Sequence, residues 1–294
     1  MLKYLTQSNI LAVLLFILTN QFSVAHAWNN VGHRWIADIA WNRMTPKAQN
    51  MAFTLLTSGV DSQTCDARIF ANPTNPEDVF VGAATWLDCS RGADKIPVYE
   101  SYVHADRYPL CPAMPPPQSY PASDELKKAM ADLVNPKNTI QLRRESLKVI
   151  IHLVGDLHQP LHTATTLDHL GGGTMVIPGS QEVPTNLHAY WDSNVVAMAK
   201  ADKATVNNLI KTQAAQMEQG TWNEWEQETI VEANQVAYKA LLGSVMCNKP
   251  SGTPITITPQ YASEATRLGE LKIAQAGIRL ALILNLASMG RVQQ

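Results

Sequence analysis

Apolar residues along most of this chain recur at helical spacing. Residues 31–43 carry them three and four apart, which predicts a helix ending near Met44. Thr45 followed by Pro46 is a cap with proline at the first helical position, predicting a second helix to about Leu56. Gly, Asp, Ser, Asn and Pro make residues 57–76 a loop, and residues 77–89 read as helix. Proline and tyrosine make residues 92–121 an irregular excursion. Ser123 with Asp124 and Glu125 then opens another helix, where acidic side chains suit the N-terminal end of the dipole. The clearest helix is 139–158, with Leu142, Leu147, Ile150, Ile151, Val154 and Leu157 forming a broad buried face. Pro160 is expected to stop it. Residues 168–186 read as a glycine-rich loop with one short extended piece at 174–177. Helices resume over 186–213, 222–243 and 260–288, with a surface loop around Pro250 and Pro254. There is no 20–50 residue repeat. The pattern predicts a mainly α, single-domain protein.

The first 27 residues follow another logic. Lys3 precedes the apolar run 10–18, which is too short to span a bilayer, and Ala25-His26-Ala27 is an A-x-A cleavage signature. Cleavage is expected between Ala27 and Trp28, so the working domain is residues 28–294, delivered to the periplasm or secreted. Residues 278–287 are apolar but short and fit a core helix, so no stable membrane insertion is expected. An oxidising compartment makes two disulfides the expected state of Cys65, Cys89, Cys111 and Cys247. Four cysteines allow three pairings.

Composition narrows the partners. With 46% hydrophobic and 16% charged residues among 294, the chain has enough apolar content for a sizeable core. The 23 basic residues against 25 acidic ones exclude a broad phosphate-neutralising surface, though not a phosphate-bearing substrate.

The histidines and aspartates carry the candidate chemistry. His152 and Asp156 are four apart in one helix, so their side chains share a face; His188 and Asp192 repeat the arrangement. One such pair is an ordinary helix contact. Two pairs amid apolar residues point to metal ligation, and imidazole mixed with carboxylate suits zinc. His33, Asp88, His104 and His162 are further candidates. A cleaved N-terminus at Trp28 would add an amine and a carbonyl five residues from His33. Arg91, three positions after Asp88, offers a permanently charged fork that matches phosphate oxygens. There is no G-x-S-x-G elbow and no G-x-x-x-x-G-K-[ST] loop, so Gly171, Gly172 and Gly173 are not a triphosphate cradle.

These residues together resemble the zinc-dependent single-strand-specific nuclease and 3′-nucleotidase family, which is related to bacterial zinc-dependent phospholipase C. The elements run in order over the whole mature chain: Trp28 with Gly32-His33, Trp86-Leu87-Asp88 with Arg91, His104, His152-x-x-x-Asp156, His162, the Gly171–Gly173 loop and His188-x-x-x-Asp192. The resemblance implies a helical fold with a trinuclear zinc cleft. One zinc would be held by Asp88, His104, His152 and a bridging Asp156. A second would be held by Asp156, His33 and the amine and carbonyl of Trp28. The third would be held by His162, His188 and Asp192. It implies water attacking phosphorus in line between the first two ions, Arg91 steadying the phosphoryl oxygens, and the third ion stabilising the leaving O3′. Its implied substrates are single-stranded DNA and RNA, cut to 5′-phosphate ends, and 3′-mononucleotides. A monomer without a stable protein partner is expected.

Base recognition departs from the family pattern. An aromatic residue often follows the histidine at the position of His104, whereas here Ala105 cannot stack. Tyr108, or Tyr102, is expected to stack in its stead, Asp106 or Arg107 to contact the nucleotide, and Gly172 to line the substrate site. His158, six positions after His152, points away from the ligand face and is expected to pack. His169 and Asp168 lie beside the glycines, as possible partners of ligands. A zinc phospholipase C, which typically has His-x-x-x-Glu where this chain has His188-x-x-x-Asp192, and a noncatalytic zinc-binding protein are the alternatives.

Overall fold

The computed structural model of the protein describes residues 28–59, 65–66, 74–90, 104–114, 121–167, 170–178, 185–248 and 252–294. The segment expected to be the export signal lies outside them, as do Arg91, Tyr102, Asp168 and His169.

Local chemistry explains the first helices. Helix α1 (Asn30–Trp41) is capped by the Asn29 side chain, which accepts from the Val31 and Gly32 amides. Helix α2 (Pro46–Thr57) starts as its Thr45-Pro46 pair predicts, with the Thr45 hydroxyl accepting from the Ala48 amide. The single helix expected over 77–89 is two: α3 (Pro76–Ala83) and α4 (Trp86–Ser90), parted at Ala84 and Thr85. The break has a use, because it turns the Ala84 carbonyl away from a helix ladder and toward His152.

Helix α5 (Pro121–Val134) begins two residues before Ser123. Helix α6 (Ile140–Asp156) is capped by Thr139. Pro160 does end that run, and it also starts a short helix α7 (Pro160–Thr163). Two residues of strand β1 (Tyr108–Pro109) lie parallel to β2 (Ala164–Thr165), tying the segment after His104 to the end of α7. The extended piece expected at 174–177 is present at Val176, which bridges to Asn186 and Pro254.

The predicted 186–213 helix is interrupted. It runs as α8 (Leu187–Ala189), a wider π-helical segment Tyr190–Val195, and α9 (Val196–Ala201). Asp202 then caps a separate α10 (Lys203–Met217). Helix α11 (Trp222–Glu232) opens on a Thr221/Glu224 capping box and continues into a second π segment, Ala233–Lys239. Helix α13 (Pro259–Ala287), which follows the three-residue α12 (Ala240–Leu242), is the central element. It packs on α1, α6 and α10, and residues 278–287 lie in the core as expected. Its closest approach to α1 is at Gly277, where a Cβ would collide with Ile39.

One hydrophobic core runs through all these helices. Two disulfides fasten its edges: Cys65 pairs with Cys89 and Cys111 with Cys247. The first ties down the end of α4 directly after Asp88. Among the described residues no helix is long and apolar enough to cross a membrane.

A candidate metal centre

The core helices bring the expected histidines and aspartates together from seven places in the chain. His33 comes from α1, Asp88 from α4, His104 from the segment before β1, and His152 and Asp156 from α6. His162 comes from α7, His188 from α8, and Asp192 from the π segment, whose wider turns often mark functional sites. All are buried. Their ligand atoms converge in three groups that could hold a metal: His33, His152 and Asp156; Asp88, His104 and His152; and His162, His188 and Asp192.

Distances show how the first two groups join. Asp88 Oδ1 is 3.8 Å from both His104 Nδ1 and His152 Nε2. Asp156 Oδ2 lies 2.9 Å from His104 Nδ1 and 3.2 Å from His152 Nε2. Its other oxygen, Oδ1, faces His33 Nε2 at 3.1 Å, without hydrogen-bonding geometry. The carboxylate therefore has one oxygen for each side. Gly155 makes room for this, since a Cβ there would sit 3.0 Å from His33 Nδ1.

Backbone carbonyls orient the rings. His152 Nδ1 donates to the Ala84 carbonyl at 2.7 Å, His162 Nδ1 to the His104 carbonyl at 2.6 Å, and His188 Nδ1 to the Gly171 carbonyl at 2.9 Å. A carbonyl only accepts, so each Nδ1 carries a proton, and it is Nε2 that presents a lone pair whenever the ring is neutral. His162 Nε2 and His188 Nε2 then face each other across 3.0 Å. Two lone pairs at that separation repel, and a cation between them reverses the sign. Asp192 Oδ2, 3.5 Å from His188 Nε2, adds negative charge on the same side. This donor set of imidazole and carboxylate fits zinc.

Electrostatics agree with clustering of charge. Burial pushes the His152 imidazole down, but the Asp156 and Asp88 carboxylates outweigh it and raise it to about 9. Burial opposes ionisation of Asp156, but the surrounding imidazoles prevail and hold the carboxyl well below its usual range. His162 is held well below the ordinary histidine range by burial and then by the His188 imidazole.

Residues 28–288 match the S1/P1 nuclease family. The chain belongs to that family. Among curated relatives of this S1/P1 nuclease, Nuclease S1 of Aspergillus oryzae (strain ATCC 42149 / RIB 40) is 23% identical over 289 residues, covering 90% of this chain and 92% of that protein. Endonuclease 5 of Arabidopsis thaliana is 30% identical over 152 residues, 48% of this chain and 50% of its own length. Endonuclease 4 of Arabidopsis thaliana is 29% identical over 154 residues, with the same two coverages. The chain thus spans about half the length of these Arabidopsis relatives and most of the Aspergillus one. Membership supports a nuclease, a phosphodiesterase.

Other expected site residues fall in different places. The Trp28 side chain is fully buried and packs on Gly32, while the Asn29 amide donates to the Asp192 carbonyl, so this segment is pinned beside the third group. Asp106 was expected at the substrate, but its carboxyl group turns inward, accepting from the Ser123 amide at 2.9 Å and sharing the single hydrogen of the Ser123 hydroxyl with Glu226. Tyr108 pairs through its backbone in β1 and is half-buried. Gly172, at φ +80°, packs against Leu187. Its neighbour Gly171 is the glycine that touches the centre, through its carbonyl to His188; a side chain there would meet the Leu161 carbonyl.

Helical spacing placed His158 away from the ligand face, and it packs there: its Nδ1 donates to the Val154 carbonyl and its Nε2 accepts from Arg279 at 3.1 Å. Sequence reading missed the supporting carbonyls of Ala84, His104 and Gly171, since a backbone oxygen carries no side-chain signal.

Proposed function

We propose that this S1/P1 nuclease is an exported, zinc-dependent endonuclease and 3′-nucleotidase. It hydrolyses single-stranded DNA and RNA to 5′-phosphate ends and removes the 3′-phosphate of nucleotides. What carries the reading is a set of three buried His/Asp groups that could hold metal, two of them sharing His152, on a chain of a nuclease family.

Three zinc ions would be held as follows. Asp88, His104 and His152 hold one, and His33 with the amine and carbonyl of Trp28 holds a second; Asp156 gives each of these one oxygen. His162, His188 and Asp192 hold the third. Zinc at such sites acidifies water toward neutral pH and offsets charge on phosphoryl oxygens.

The protein's own contribution is positioning. The Ala84, His104 and Gly171 carbonyls keep protons on Nδ1, so Nε2 is the nitrogen that each ring turns inward toward an ion. Burial of the ligands strengthens every charge interaction within the group. Arg91 would supply a permanently charged guanidinium for the phosphoryl oxygens, where charge builds during in-line attack. Tyr108 offers an aromatic face near the His104 segment, where stacking tolerates any base. The near-balanced side-chain charge suits recognition at one recessed site, as on an accessible single strand. The protein acts as a monomer after cleavage at Ala27/Trp28, in the periplasm or outside the cell.

The test is an assay of the mature protein on single-stranded DNA, RNA and 3′-AMP, with and without a chelator. Strand cleavage and phosphate release that a chelator abolishes and zinc restores are expected. Activity indifferent to chelation would overturn the reading.

A further inference from the structure

We propose that Gln159 is a positioning residue that uses both ends of its carboxamide to assemble the His162/His188/Asp192 group. The inference rests on the metal-centre reading above and deepens it.

Gln159 lies between α6, which carries His152 and Asp156, and α7, which carries His162. Its side chain is completely buried. Oε1 accepts from the Leu161 amide. That amide is the first backbone donor of α7, because Pro160 has none. At the other end, Nε2 donates to Asp192 Oδ1 at 2.6 Å across 33 residues. The hydrogen-bond partners assign the amide orientation: an N–H can only be met by Oε1, and a carboxylate only by Nε2. One planar group thus sets the start of the helix bearing His162 and the rotation of the Asp192 carboxylate.

The residue type matters. Asp192 is a buried carboxylate and needs a donor. A lysine or arginine there would supply one, but its charge would compete with a cation for the aspartate. A neutral amide satisfies Oδ1 and leaves the negative charge for Oδ2, the oxygen that faces His188. Asparagine is one carbon shorter and cannot span both contacts. Glutamate keeps the cap on Leu161 but loses the donor and sets a like charge against Asp192.

The experiment uses the mature, zinc-loaded protein. Gln159→Met and Gln159→Glu are titrated with zinc against a competing chelator, and cobalt(II) absorption is recorded on the substituted protein. His188→Ala marks the signal of losing that group. The expected result is one zinc equivalent weakened about 10- to 100-fold with the others unchanged. The cobalt bands lost should be those lost in His188→Ala. Wild-type affinity for every equivalent in both variants would overturn the proposal. So would uniform weakening of all equivalents, the mark of a merely structural residue. If the parent protein itself binds no zinc, the metal-centre reading fails first, and the two failures are told apart.

Discussion

Asp156 Oδ1 sits 3.1 Å from His33 Nε2, while its second oxygen lies 2.9 Å from the Nδ1 of His104. An amide cannot serve both sides, since one of its two termini is a donor. Asp156→Asn should therefore release ions from both groups. Activity should fall by more than the roughly 100-fold typical of losing an outer partner. Metal analysis alongside turnover checks this; full metal content with normal turnover would refute the bridging role.

The start of the chain makes a separate prediction. Trp28 is pinned by its buried ring and by the Asn29 amide on Asp192. If the protein is cleaved before Trp28 as proposed, one added residue there converts the free amine into a peptide nitrogen, which is not a ligand. The His33 group should then lose its ion while the His162 group keeps its own. Mass spectrometry of the N-terminus with zinc quantification decides it, and unchanged zinc content would count against any role for the amine.

Lys148 supports the neighbourhood of Asp88 from below. Its ammonium is buried, pairs with Asp66 and lies 4.2 Å over the Trp86 ring. Asp66 adjoins the Cys65–Cys89 disulfide, and Trp86 opens α4. Lys148→Met should cost about 3 kcal/mol, because the buried carboxylate loses the ammonium that compensates it. Denaturant unfolding measures this. A loss below about 1 kcal/mol would mean that water or other groups replace the pair.

The inward-facing Asp106 makes stability depend on pH. Burial and then the hydrogen-bonded Glu226 raise its carboxyl to about 7. A carboxyl raised on folding favours the folded state at low pH. Its contribution is fully present below the unfolded value near 3.8 and is lost as pH rises through about 7. The slope is at most about 1.4 kcal/mol per pH unit within that window. Stability of metal-free protein relative to Asp106→Asn should decline from pH 4 to 7. A flat difference would show that Asp106 ionises normally.

Arg91→Ala should lower turnover about 100-fold or more while zinc content stays near normal, as expected for a lost transition-state donor. Loss of zinc in that variant would instead give Arg91 a structural part.

Much of this was legible in the chain itself. Caps such as Thr45 and Thr139 and the His152/Asp156 pair follow from hydrogen bonds and side-chain directions within one or two turns. The ordered set of histidines and aspartates likewise identified which residues could meet. Helix boundaries failed where distant contacts intervened. The 77–89 segment broke at Ala84, and the 186–213 segment took a π turn around Asp192.

Sequence alone therefore determined a mainly helical protein, the candidate ligands and the presence of four cysteines free to pair. The tertiary structure decided which cysteines joined, how Asp156 divides its oxygens, and that Asp106 faces Ser123 instead of the cleft. It also decided that Gly171, Ala84 and His104 lend their carbonyls to the rings. The reason is range. A helix is chosen by hydrogen bonds four residues apart, whereas the Ala84 carbonyl meets His152 across 68 residues, a contact only the packing of the whole core can set.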